Sequence, residues 1–352
     1  MSHTPPLLLP RVLVKQACRA LCILGALASA VDLSAQNTPL VSGGVGFFTN
    51  TNGGKTTYTP TLSPVLEAPV GKHLLFESKA YILESFFPKG GNQGYGTSHF
   101  TGVTYAQGDY LLSPHLTLVG GYYLIPFGTY NERLAPIWIS NFQSAPLVTS
   151  LGLMGTGAGL GAQFRGNAIE NKRVSIDYAA YFSGHSGNEQ VVASRATGGR
   201  VDLYLPQQRL EIGVSYGRQL ERSRTNTYGT HLWWQPQQLP IKIRSEYAHG
   251  AHAQGYWVEI DYRLSQFGGA ESTVGRLEPV FRWQQTFRNS SDNTDGLPAA
   301  NTQRTDFGLD YHLPHEVRIN TSYARQFSST RNVNIWETEI VYRFLFPAWK
   351  GK

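Results

Sequence analysis

His185-Ser186-Gly187-Asn188 sets a hydroxyl nucleophile, an imidazole base and an orienting amide side by side, the residue types of a serine hydrolase. Neighbours on an extended strand point to opposite faces, so His185 and Ser186 are poorly placed to share a proton. A rim-located lipid hydrolase therefore ranks behind the readings below. Gly157-Ala158-Gly159-Leu160-Gly161-Ala162 has the glycine spacing of a dinucleotide turn, which needs a helix after it. Another alternating segment follows instead, and small residues facing a crowded interior explain the run. Gly53-Gly54-Lys55-Thr56 ends like a phosphate loop, but Thr49 stands where the first glycine is required, so a hairpin turn is expected. His249 and His252 form a pair with no third ligand in view and read as a surface loop. No catalytic, cofactor or metal residue is assigned.

The charged residues point to a different chemistry. Arg173, Asp177, Glu211, Arg218, Lys242, Arg244, Glu246, Glu259, Asp261, Arg263, Arg282, Arg288, Asp306, Asp310 and Arg318 interleave with apolar residues. Arginine or lysine facing hydrocarbon at mid-depth costs about 2–4 kcal/mol, which favours the wet side of a wall. Opposed charges across a lumen set a transverse field on passing ions, whereas paired charges brace the wall. The expected constriction and lining residues are Glu132, Arg133, Arg218, Arg244, Glu246, Asp261, Arg263, Arg282 and Arg318. Both signs are present, so the set implies no strong ion selectivity.

Such side chains need strands to aim them. From Val333 to Phe346, Trp336, Thr338, Ile340, Tyr342, Phe344 and Phe346 share one face, and Glu337, Glu339 and Arg343 share the other. Leu210–Tyr216, Tyr256–Leu264 and Val317–Tyr323 alternate in the same way. Period two over about ten residues fits a tilted membrane-spanning strand, and soluble strands average nearer five or six. The expected spans are 41–50, 55–68, 73–85, 98–111, 115–125, 156–167, 172–183, 197–206, 209–219, 226–236, 240–249, 254–265, 278–289, 302–313, 316–327 and 333–346. This gives an all-β transmembrane antiparallel barrel of sixteen strands, within a range of fourteen to eighteen. Tight turns, several with proline, alternate with longer loops, of which Pro126 to Gly155 is the longest.

Residues 1–35 read as an export signal: Arg11, Lys15 and Arg19 precede a short apolar run, and Leu33-Ser34-Ala35 fits a cleavage site. Residues 36–352 would form the barrel. Both cysteines, Cys18 and Cys22, fall in the signal, which leaves no disulfide in the mature chain. Removing three of 30 basic and one of 24 acidic residues leaves 317 residues with a formal charge of +4, too mild to argue for nucleic acid. No apolar run of the mature part reaches helix-spanning length.

Tyr122-Tyr123-Leu124-Ile125-Pro126-Phe127-Gly128-Thr129-Tyr130-Asn131-Glu132-Arg133-Leu134, then Ala135-Pro136-Ile137-Trp138-Ile139, resembles the "P-F-G, then E-R" stretch that follows a strand in many Gram-negative outer-membrane porins. The chain is most similar to the phosphate-selective (O/P-type) porin superfamily. The resemblance covers the mature chain in pattern and about twenty residues in motif. It implies a third external loop folded toward the lumen, a lipid bilayer and small hydrophilic solutes or ions as partners, the outer-membrane assembly machinery, and a homotrimer. It does not carry phosphate specificity, because the family's arginine ladder and lysine cluster are not traceable here. The chain also departs from the pattern at its end, where Pro347-Ala348-Trp349-Lys350-Gly351-Lys352 follows Phe346. Pro126, Pro136 and Pro146 should stiffen the long loop, with Trp138 and Phe142 as wall anchors. The expected function is passive diffusion across the outer membrane. The competing readings are a plugged barrel with a structural or adhesive role, the rim hydrolase, and a soluble exported sandwich.

Overall fold

The computed structural model describes residues 38–90, 93–149, 157–221, 224–290, 297–329 and 331–348. The expected export signal and Trp349–Lys352 lie outside these residues. Sixteen antiparallel strands close into one barrel. They are β1 (Leu40–Asn52), β2 (Lys55–Val70), β3 (Leu74–Pro88), β4 (Tyr95–Ser113), β5 (Leu116–Leu124), β6 (Ala158–Glu170), β7 (Ser175–Gly184), β8 (Ala196–Leu205), β9 (Leu210–Gln219), β10 (Asn226–Trp234), β11 (Ile241–His249), β12 (Ala253–Tyr262), β13 (Leu277–Arg288), β14 (Thr302–His312), β15 (Val317–Ser328) and β16 (Val333–Pro347). Each strand pairs with its neighbours in sequence. β1 meets β16 from Leu40 opposite Pro347 to Asn52 opposite Ile335, which leaves no free edge.

The alternation sorts side chains as period two requires. On β9, Ile212, Val214 and Tyr216 are exposed outward, while Gly213, Ser215 and Gly217 are buried within. On β16, Trp336, Ile340 and Tyr342 face out, and Glu337 and Glu339 face in. Aromatic pairs stud the outside near the longer-loop rim, with ring centroids 4.7 Å apart for Tyr323 and Trp336, 5.4 Å for Tyr216 and Tyr228, and 5.8 Å for Tyr58 and Tyr95. At the other rim Phe344 stacks on Phe346 at 5.7 Å. This is the girdled apolar band of a membrane barrel.

Both barrel ends lie on the rim of mostly short turns, which by that pattern is the periplasmic one. The other rim carries the remaining loops, the longest joining β5 to β6. Gly53 and Gly54, at φ +58° and +77°, make the expected two-residue hairpin turn. Proline does not only mark strand ends. Pro60 and Pro64 lie inside β2, where pairing with β3 holds at Thr61, Leu62 and Val65 and skips both prolines. A residue without an N–H cannot donate to a ladder, and both prolines keep only their β1 partners, Phe47 and Gly43.

Candidate functional site

The β5–β6 loop enters the barrel instead of standing above it. Its two ends are stitched together: the Ile125 N–H donates to the Gly157 carbonyl (3.1 Å), and Asn131 Nδ2 donates to the carbonyls of Ile125 (3.1 Å) and Gly157 (2.6 Å). The elbow at Gly128, with φ +61°, rests on Glu246 of β11, and a Cβ there would strike the Glu246 carboxylate. Glu246 Oε1 accepts from the Thr129 N–H, from Thr129 Oγ1 (2.8 Å) and from the Tyr130 N–H (2.7 Å), while Trp257 Nε1 donates to Oε2 (3.3 Å). A short π-helical turn, Tyr130–Leu134, follows.

That turn aims Glu132 and Arg133 at the wall. Arg200 of β8 donates to Glu132 (2.5 Å) and to the Gly128 carbonyl (2.8 Å). Arg133 pairs with Glu211 (2.5 Å), and its guanidinium lies 4.3 Å from the Trp233 ring centre. Behind them, buried His231 points Nε2 between Glu211 (3.3 Å) and Asp202 (3.4 Å). Among the described residues Asp202, Glu211 and His231 form the one three-donor cluster of metal-ligand type. Arg200 and Arg133 already engage both of its carboxylates, while Asp202 Oδ1 and both ring nitrogens of His231 make no hydrogen bond among the described residues.

The rest of the loop crosses to the far wall. Trp138 and Ile137 fill a notch left by Gly44 of β1, where a Cβ would collide with them, and Lys79 of β3 lies 5.3 Å from the Trp138 ring centre. Arg318 of β15 donates to the carbonyls of Ile137 (3.1 Å) and Ser140 and to Glu339 (2.9 Å). Phe142 is 1% exposed beneath the Arg282 guanidinium, 4.5 Å away. Arg282 also donates to the Ser144 carbonyl (2.8 Å), and the Leu147 N–H donates to Gln284 (2.7 Å). Asn141 binds Glu259 (3.3 Å) and Asp261 (3.1 Å), both of which also hold Arg244 at 2.6 Å.

The loop therefore covers most inward-facing charges of β8–β16. Arg244, Glu246, Asp261, Arg282 and Arg318 point inward and lie buried against the loop or its partners. Buried ion pairs seldom add net stability, yet losing one partner costs about 3–5 kcal/mol, so they fix where the loop sits. Arg263 is in the periplasmic turn after β12 and donates to the Gly275 carbonyl (3.3 Å). Arg218 is on the outer face, two residues beyond Tyr216. The expectation that it faces the lumen is corrected by parity, since it is seven positions from inward Glu211. Charge is cheap at an interface, about 0–1 kcal/mol, so the lipid penalty does not force it inward.

The less covered part of the lumen follows β1–β4. At the external mouth a recess of about 390 Å³ is lined by Asn50, Asn52, Lys55, Thr57 and Arg331, among others. One row deeper, where Phe48 pairs with Thr59, a cavity of about 230 Å³ lies between wall and loop. Phe48, Tyr81, Tyr130 and Phe142 give it aromatic surface, and Thr59, Thr61, Ser140 and Gln143 give it polar groups. Glu339 is the one acidic or basic side chain in its lining. Below it come Lys79 and Tyr105, then half-buried Glu67 and Glu77, which sit opposite each other.

The motifs with other readings resolve simply. His185 pairs with Glu221 (3.1 Å), while Ser186 Oγ accepts from the Asn188 N–H (3.3 Å), so the two are not joined. Gly159 and Gly161 lie within β6, with a strand and no helix after them. Arg200, Asp202, His231 and Trp233 escaped notice in the sequence because each anchors residues far away in the chain. Their one local signal is polar or aromatic character at inward positions of alternating strands.

No protein-family model and no curated protein matches the chain. Among solved structures, the anion-selective porin from Comamonas acidovorans matches with a TM-score of 0.56 and 11% identity over 87% of this chain and 98% of that one. OmpT, an outer membrane protein of Vibrio cholerae, matches with 0.55 and 10% over 90% and 100%. Pseudomonas aeruginosa OccK5 (OpdH) matches with 0.51 and 11% over 89% and 99%. At this identity the likeness shows the fold, a closed sixteen-strand antiparallel β-barrel like those of these outer-membrane proteins.

Proposed function

We propose that the protein is an outer-membrane porin that passes small hydrophilic solutes or ions passively along the inner face of β1–β4. The observation that supports this most is the pair of cavities, about 390 and 230 Å³, lined by polar side chains from Asn50 and Thr57 to Thr59 and Thr61, with half-buried Glu67 and Glu77 deeper on the same face and a loop fastened to the opposite wall. At about 30 Å³ per water, the middle cavity holds roughly eight waters. That scale suits ions and small polar molecules, and selectivity follows from width and lining. Export by residues 1–35 belongs to the same reading through the residues of that segment, and delivery by the assembly machinery and a homotrimer belong to it through the family resemblance.

The loop also reaches the wall at Gly44 and Lys79, which favours a second reading, a plugged structural barrel. Single-channel recording of the detergent-purified, heat-modifiable protein in a planar bilayer separates the two. Stable open steps are expected, and silence from a folded barrel would overturn the porin reading.

A further inference from the structure

Arg218 has a surrounding that its outward position alone would not predict. Outside the barrel, near the longer-loop rim, Phe182, Arg195, Arg218, Leu220 and Arg224 line a groove of about 320 Å³. Phe182 of β7 pairs with Thr197 of β8, and Thr197 pairs with Arg218 of β9, so the exposed ring and the guanidinium share one lateral row. Tyr216 and Tyr228, from the aromatic girdle, lie one step closer to the membrane centre. The arginines thus stand at headgroup depth, with lipid-facing apolar surface alongside.

The charges are one-sided. Glu221 is the nearby acid, and its carboxylate accepts from the Arg195 N–H (3.0 Å) and from His185 (3.1 Å). Among the described residues neither the Arg218 nor the Arg224 guanidinium has an ion-pair partner. Guanidinium forks match phosphate oxygens in pairs, and such charge-assisted contacts are about twice as strong as neutral ones. Three forks beside a phenyl ring and a leucine present a phosphate site continuous with an acyl-chain site.

We propose that this groove binds a phosphate-bearing glycolipid of the outer leaflet. Its phosphate would sit among Arg195, Arg218 and Arg224, and an acyl chain would lie along Phe182 and Leu220. The proposal rests on the outer-membrane reading but not on conductance. The test is native mass spectrometry of the full-length, detergent-folded protein with purified bis-phosphorylated lipid A, with inorganic phosphate as competitor.

One retained lipid A per barrel is expected. Its affinity should fall about tenfold or more in Arg218→Ala/Arg224→Ala, from the loss of two charge-assisted contacts. Arg218→Lys keeps the charge without the fork and should lose an intermediate amount, so it serves if the double variant fails to fold. Equal binding by wild type and variants would overturn the proposal. So would displacement by inorganic phosphate at equal concentration, which would mark a free-anion site, or an absence of retained lipid. A barrel that conducts without holding lipid A fails this proposal alone, and one that holds lipid A in silence fails only the channel reading.

Discussion

Glu339→Gln tests the route through the barrel with the smallest change of shape. Glu339 lines the middle cavity and accepts from Arg318 Nη2 at 2.9 Å. Glutamine keeps an acceptor for that bond and removes the cavity's one acid, so at pH 9, where that acid is ionised in wild type, the variant leaves Arg318 uncompensated. For an ion passing at roughly 6 Å in a water-filled gap, a unit charge is worth about 0.7 kcal/mol. Cations lose and anions gain by that amount, so the difference is about 1.4 kcal/mol, or tenfold in permeability ratio. Reversal potential at pH 9 under a salt gradient near 0.1 M reads this directly, because the screening length there is about 10 Å. At 1 M, with screening near 3 Å, the shift should shrink. Glu259→Gln, under the loop and paired with Arg244, should move the ratio far less. A shift below twofold for Glu339→Gln, or one toward cations, would refute the inference that ions pass Glu339.

Glu246→Ala should release the elbow of the loop, since it strands three donors from Thr129 and Tyr130. Each buried unpaired group costs about 1–3 kcal/mol, and trypsin is expected to cleave at Arg133 in the variant and to leave that bond intact in wild type. Phe142→Ala should remove about 3–5 kcal/mol of packing and widen the adjoining cavity, read as lower urea resistance with larger single-channel steps. Desolvation pushes the Tyr130 phenol up to about 12 from its usual 10. Its contribution to holding the loop is complete below pH 10 and is lost as the pH rises through 12. Conductance noise should therefore increase over that interval in wild type and not in Tyr130→Phe.

The strands could be read from the sequence because lipid imposes period two on every crossing, so Ile212, Val214 and Tyr216 declare a face without any partner. The long loop could be located, and Trp138 and Phe142 named as its anchors, from length and side-chain type. What it binds could not be read. Glu246 lies more than a hundred positions from Thr129, and neither residue's neighbours hint at the other. The same limit hid His231, whose carboxylates come from two other strands. Arg218 failed for a different reason: alternation already put it on the face of Tyr216, and the cost of a lipid-facing charge was set against that without regard to depth.

The inserted loop also has a mechanical consequence. A hollow sixteen-strand tube resists flattening only through shear between adjacent ladders. Here a chord runs from the stitched ends at Asn131 and Gly157, over Glu246, to Trp138 in its notch on β1. It acts as a tie rod across the cylinder, so squeezing the barrel along that line loads the loop before it loads the strands. The gap beside β1–β4 is bounded by the same rod, and its width therefore follows the ellipticity of the barrel, which on the proposed channel reading ties permeation to lateral stress in the surrounding bilayer.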